Sequence, residues 1–333
     1  MSNSSGCGFV RHKTAALLAL ALALCLTAFT ACARRNDGEK PRVAVIVKAL
    51  DSDFWHWVED GVNGAATEYN VNVSFEGPDS EEDFAAQNEL IRKAIDERVD
   101  VIVLSAISRE ASNELIAEAV GLGIGVITID SAIDSEHVSL FIGTDNYAAG
   151  AAAGRAAVAA SDGGALRIGV VNYYAATENG RARAQGFFDY IDKLDGAEIV
   201  ETINVNSNET SATAGAISLL YRHPEINVLV GFNEWTTLGV GNAIKRSEVS
   251  ERVAGIGFDT NVRSVEQLEA GDIDALIVQS PFSIGYLGVK YALELYEGAE
   301  IHGGEVFTDV QTVTKENMFD ESVQKAVFRF VKQ

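Results

Sequence analysis

The stretch RVAVIVKALDSDFWHWVEDGV, residues 42–62, decides how the rest of the chain is read. An unbroken apolar run, Val43 to Val47, meets an acidic turn, Asp51-Ser52-Asp53, and two aromatics, Phe54 and Trp55, follow at once. An apolar run without alternation marks a strand buried on both faces, the condition of a parallel sheet. Val58, Val62, Ala65, Ala66 and Tyr69 then share one face of a 3.6-residue period, which predicts a helix. A buried strand thus carries carboxylate, hydroxyl and aromatic groups to its own carboxyl end, where ligands sit in open α/β sheets.

The same pattern repeats outward from this stretch. Further strands are expected at Val71–Phe75, Val101–Leu104, Val126–Ile129, Val138–Ile142, Leu166–Val171, Ile199–Val205, Val228–Val230, Val253–Ile256, Ile273–Val278 and Val306–Val313. Helical patterns lie between them. Ser80 with Asp83 resembles a capping box, opening a helix whose face holds Phe84, Ile91 and Ile95. Leu115, Ile116, Ala119 and Val120 continue another, and Gly121, Gly123 and Gly125 offer the left-handed turn that ends it. NYAAGAAAGRAAVAA, residues 146–160, is a small-residue helix able to approach a sheet closely. Alternating strands and helices predict parallel sheets covered on both faces. The strands are too many for one sheet and suit two of five or six, with the first crossing at Gly143-Thr144-Asp145-Asn146.

At 333 residues the chain can hold two such units, and its composition, 47% hydrophobic and 22% charged, is that of a globular protein. The net charge is −22. Residues 1–32 contain two of the 26 basic residues, Arg11 and Lys13, and none of the 48 acids, leaving −24 for the remainder. Such a surface repels nucleic acid and anionic membranes. The first residues are polar and basic, and Thr14 to Ala31 are an apolar run. This resembles a bacterial lipoprotein signal, residues 1–31, cleaved before Cys32, with Phe29 where such signals usually carry Leu. A retained membrane anchor is the alternative. After cleavage Cys32 is the last of three cysteines and a site for lipid. Residues 32–41 form a polar tether.

Several chemistries lack their motifs. KALDSDFW after the first strand has no glycine, so no dinucleotide fingerprint is present, and GLGIG at 121–125 precedes a strand rather than a helix. There is no P-loop lysine and no G-x-S-x-G elbow. His56, His137, His223 and His302 are scattered, so neither a metal nor another cofactor is expected. The reading is a binding protein rather than an enzyme.

Five groups of residues, taken together, resemble the type I periplasmic sugar-binding proteins, with the ribose-binding members the nearest pattern. They are LDSDFW at 50–55, VITID at 126–130, IGTDN at 142–146, NGRARAQGF at 179–187, and a tail group of HPEINVLVGFNE at 223–234, VAGIGFD at 253–259 and ALIVQSP at 275–281. The resemblance covers roughly residues 42 to 314. It implies two Rossmann-like α/β lobes with parallel sheets, joined by three hinge crossovers, with a ligand trapped between them. The first lobe would be 42–144 plus 280–308, the second 145–279 plus 309–333. The lactose-repressor family shares this core but needs a basic helix-turn-helix, which is missing here. The implied protein is a lipid-anchored monomer in the periplasm or on the cell surface that passes a monosaccharide to an ABC permease. A cyclic polyol or another small hydroxylated signal, or partnership with a chemoreceptor or sensor kinase, is the alternative.

A sugar offers hydroxyls and apolar C–H patches, so its site needs carboxylates, amides and flat aromatics. Phe54 and Trp55 match the family's stacking positions. Asp51 stands where the family often has Asn. Asp130 ends the strand VITI, where a lone charge is costly unless satisfied; the resemblance makes it an acceptor of two sugar hydroxyls. Ser131 follows it where ribose-binding members carry Arg, which speaks against ribose itself. Arg181 matches the second-lobe arginine. Asn233, Asp259 and Gln279 end strands in that lobe, and Ser105 ends one in the first. Near Ser207 the family frequently offers an aromatic, so the second lobe is expected to stack less and hydrogen-bond more.

Overall fold

The computed structural model describes residues 40–161, 163–301 and 303–328. The expected signal, Cys32, most of the tether, His302 and the last five residues lie outside them. From Pro41 onward the chain forms one unit built on two six-stranded sheets. The first sheet contains β1 (Arg42–Ile46), β2 (Asn72–Glu76), β3 (Val101–Leu104), β4 (Gly125–Ile129), β5 (Leu140–Gly143) and β11 (Glu305–Phe307), in the order β11-β5-β4-β3-β1-β2. The second contains β6 (Arg167–Asn172), β7 (Glu198–Asn204), β8 (Val228–Gly231), β9 (Ala254–Phe258), β10 (Ala275–Val278) and β12 (Gln311–Thr314), in the order β12-β10-β9-β8-β6-β7. Position by position the two orders are the same, so the lobes are built alike.

The unbroken apolar runs are explained by burial on both faces. Along β1, Val43 and Val45 enter one core cluster with Val58, Val62 and Ile284. Ala44 and Ile46, pointing the other way, enter a second with Ile91, Ile95 and Ile116. In β8 the same division sends Val228 and Val230 to one side and Leu229 to the other. These central strands therefore bind helices on both of their faces, and polar alternation would have left one of those layers without a core.

One expected strand is two. Val306–Val313 breaks after Phe307, where the chain passes from the first sheet to the second. β11 runs parallel to β5, whereas β12 runs antiparallel to β10. The expectation of wholly parallel sheets fails at that edge alone. This passage is one of three between the lobes; the others follow β5 and β10. The three are tied together. Thr308 N donates to Gly143 O at 2.7 Å, Ser280 Oγ to Asp309 O at 2.9 Å, and Thr144 Oγ1 to Gln279 Oε1 at 2.8 Å.

The helices α1 (Asp53–Tyr69), α2 (Phe84–Asp96) and α3 (Asn113–Gly121) belong to the first lobe. Ser52 caps α1, and Asn70, at φ 58°, ends it in the left-handed region. Asp83 alone caps α2, because Ser80 bonds to Glu82 instead. Phe84 is exposed, and Gln87 takes its expected place inside. Gly121 is the last residue of α3, and Gly123 makes the left-handed turn.

α4 (Asn146–Ala160) and α5 (Glu178–Ile191) pack against each other in the second lobe. A Cβ on Gly150 would strike the carbonyl of Arg183, and one on Gly186 that of Tyr147. The small residues of α4 thus serve a helix–helix contact as much as a helix–sheet one. The remaining helices are α6 (Glu209–Arg222), α7 (Glu234–Arg246), α8 (Val262–Ala270), α9 (Pro281–Tyr296) and α10 (Glu321–Val327). Among the described residues no helix is long and apolar enough to cross a membrane.

Candidate functional site

The carboxyl ends of both sheets face one cleft, and two aspartates hold equivalent places in it. Asp130 follows β4 and Asp259 follows β9. Both have positive φ, 56° and 66°. Both donate their backbone N–H to the neighbouring strand, Asp130 to Ile142 O at 2.9 Å and Asp259 to Ile277 O at 3.0 Å. The left-handed backbone is costly for a residue other than glycine, and the strand pairing on either side imposes it. It turns each carboxylate out of the sheet and into the cleft.

Asp130 is saturated with donors. Ser105 Oγ donates to Oδ2 at 2.9 Å, and Asn179 Nδ2 reaches both oxygens at 3.1 and 3.2 Å. Lys48 Nζ lies 3.1 Å from Oδ2. Burial works against the Lys48 charge, but Asp130 and Glu81 outweigh it and hold the ammonium above its ordinary value. The ammonium also stands 5.7 Å from the Trp55 ring centre and 6.0 Å from that of Tyr173. Ser131, which left the strand end without a following cation, is wholly buried. A cation reaches Asp130 nonetheless, from the turn after β1.

Asp259 accepts from Gln279 Nε2 at 2.6 Å. Burial raises its carboxyl above the usual range, opposed by Arg183. Gln279 Oε1 accepts from Arg183 Nη2 at 2.8 Å as well as from Thr144. Arg183 also donates from Nε to Asn146 Oδ1 (2.9 Å) and from Nη1 to Phe232 O (2.8 Å), with its guanidinium 4.8 Å over the Phe258 ring. Gln279 therefore joins a hinge crossover to the arginine and aspartate of the second lobe.

Aromatic faces close the sides. Phe54 and Trp55 meet edge to face, with centroids 4.9 Å apart. From the second lobe come Tyr173 and Trp235, so that lobe supplies more ring surface than its Ser207 suggested. Tyr173 OH donates to Asn179 Oδ1 at 2.8 Å, and burial pushes the phenol up to about 12. Glu234 accepts from Phe54 N at 3.2 Å and Asn261 Nδ2 at 2.8 Å, and burial pushes its carboxyl up to about 7. The lining side chains bond to one another so fully that the space between them is about 20 Å³, room for about one water molecule.

Of the residues expected from sequence, Phe54, Trp55, Asp130, Asn233, Asp259 and Gln279 line this cleft. Ser105 stands behind Asp130 and orients it. Asn233 uses its carbonyl to cap α7 through Thr236, leaving its amide N–H₂ for Ser207 Oγ at 2.8 Å. Two expectations are corrected. Arg181 is exposed, and the cleft arginine is Arg183. Asn179, Arg183 and Phe187 recur every four residues along the buried face of α5, and Arg181 lies two residues out of phase. Asp51 is exposed and outside the lining. Ser52 turns inward to cap α1, so the residue before it turns away.

Lys48, Glu81, Asn179 and Tyr173 were not anticipated. A lysine just past an apolar strand and an asparagine one turn before an arginine were the available signals. Glu81 had none, because it lies in an acidic loop.

The sequence matches the family described as periplasmic binding protein domain over residues 43–300, and the chain belongs to that family. A D-ribose/D-allose-binding protein from Pseudomonas aeruginosa is 26% identical over 288 residues, 83% of this chain and 89% of its own. A carbohydrate transporter solute-binding protein from Agrobacterium radiobacter, solved in complex with D-arabinose, superposes with a TM-score of 0.84 at 27% identity, covering 87% of this chain and all of that one. An ABC transporter solute-binding protein from Agrobacterium vitis with bound D-fucose gives 0.82 at 29% identity, covering 86% and 100%. The architecture is that of the type I binding proteins, two α/β lobes around one cleft.

Proposed function

We propose that the chain captures a monosaccharide between its lobes, an aldose foremost, and delivers it to an ABC permease without chemically altering it. The observation that carries this reading is the pairing of Asp130 and Asp259 at equivalent strand ends, across a cleft walled by Phe54 and Trp55. Carboxylates accept from hydroxyls, Arg183, Lys48 and the amides of Asn233 and Gln279 donate to them, and the rings cover the C–H faces. The sugars named for the relatives are of this kind. We take the moving lobes as residues 42–144 with 280–308 and 145–279 with 309–333, opening about the three crossovers to admit the ligand. The sugar then takes over donors and acceptors that now meet across the cleft. Lipid attachment at Cys32 and action as a monomer outside the cytoplasm complete the proposal.

A thermal-shift screen of the purified protein against D-ribose, D-allose, D-arabinose, D-fucose, D-tagatose and cyclic polyols tests it. With micromolar binding, about 1 mM sugar stabilises the folded protein by roughly 4 kcal/mol, enough for a clear rise in melting temperature. If only a polyol shifts the transition, the ligand is a polyol and the sugar reading fails. If nothing shifts it and no small molecule is released from the purified protein on denaturation, the cleft has been misread.

A further inference from the structure

The end of the cleft farthest from the crossovers is held shut by the protein itself. β2 and β7 are the sheet edges opposite the crossovers, and the loops that follow them face each other. Glu81, in the loop after β2, is nearly buried at 8% exposure. Its Oε1 accepts from Trp55 Nε1 at 3.0 Å, and its Oε2 accepts from Ser207 Oγ, in the loop after β7, at 2.8 Å. Ser207 also donates its backbone N–H to Glu82 and accepts from Asn233. One carboxylate thus joins an aromatic wall of the first lobe to the second. Hydrogen bonds to an ionised carboxylate are among the strong ones, and at the edge remote from the hinge they oppose opening with the longest lever.

We propose that Glu81 is a positioning residue for ligand capture, fixing the Trp55 indole and latching it to Ser207 so that the lobes close. The proposal rests on the reading of the cleft as a sugar site, but the latch itself needs no ligand. It is tested with Glu81→Ala, Glu81→Gln and Ser207→Ala in the whole protein. Binding of D-ribose, D-allose, D-arabinose, D-fucose and D-tagatose is followed by calorimetry, and the radius of gyration of the sugar-free protein by small-angle scattering. Loss of such a bond is expected to weaken binding about tenfold, and the sugar-free radius should grow in Glu81→Ala and Ser207→Ala. Glu81→Gln can still accept from Trp55 and bond Ser207, and should recover most of both. Weakened binding with an unchanged radius, equal in the Ala and Gln variants, would make Glu81 a direct ligand contact and overturn the latch. Unchanged binding and radius in Glu81→Ala would overturn it too. If no sugar binds the unmodified protein, the sugar reading fails, and the scattering comparison still decides the latch.

Discussion

The Lys48 ammonium lies 3.1 Å from Asp130 Oδ2, and both side chains are at least 97% out of water. Breaking a buried pair from one side leaves a charge without compensation, at a cost of about 3–5 kcal/mol. Asp130 keeps Ser105 and Asn179, so Lys48→Met should fall at the lower end, about 3 kcal/mol in urea denaturation. Adding Asp130→Asn should restore part of the loss. A double-mutant cycle that closes additively would show the two are not coupled.

Helix phase separates Arg183 from Arg181. Arg183→Ala should abolish sugar-induced thermal stabilisation, since it removes donors to Gln279, Asn146 and Phe232 O together. Arg181→Ala should leave that stabilisation intact and change stability by less than about 0.5 kcal/mol. Reversed results in the thermal-shift assay would return the site to Arg181.

Gly150→Ala sets two effects against each other. Alanine favours a helix interior by up to about 1 kcal/mol. Its Cβ, however, would strike the backbone carbonyl of Arg183, which cannot rotate away. Overpacking of this kind costs about 1–3 kcal/mol, so the variant should be less stable and bind sugar less tightly. A variant more stable than the parent in denaturant would mean that α4 and α5 have room to part.

Glu234 gives a pH dependence of known sign. Burial pushes its carboxyl up to about 7, with Asp259 and Asp53 adding to the rise and Asn261 and the Phe54 N–H opposing it. A raised folded-state value means that its contribution is fully present below the unfolded value near 4.3 and is lost as pH rises through about 7. The loss is roughly 4 kcal/mol in all. Glu234→Gln should match the parent near pH 4 in urea midpoint and exceed it increasingly up to pH 8. A gap that does not change with pH would place the titration elsewhere.

Much of this could be read from the chain alone, and the misses have a common cause. Apolar runs such as Val43 to Val47 announce strands buried on both faces. Polar residues directly after them, Asp130, Asn233, Asp259 and Gln279, announce the cleft, because a strand end points where its strand points. Phe54 and Trp55 follow for the same reason. The failures begin where position depends on helix phase or on a distant loop. Arg181 and Arg183 are both candidates until α5 is set against α4, and Asp51 is one until Ser52 caps α1.

The strands, their burial and the aspartates at their ends were thus determined by sequence, since alternation and strand termination are local properties of the backbone. Only the tertiary structure decided that Lys48 would neutralise Asp130, that Gln279 would join the hinge to Arg183, and that Glu81 would meet Ser207. Those partners lie tens to more than a hundred residues apart. They meet because two sheets of the same strand order face each other across one cleft, a relation no local pattern encodes.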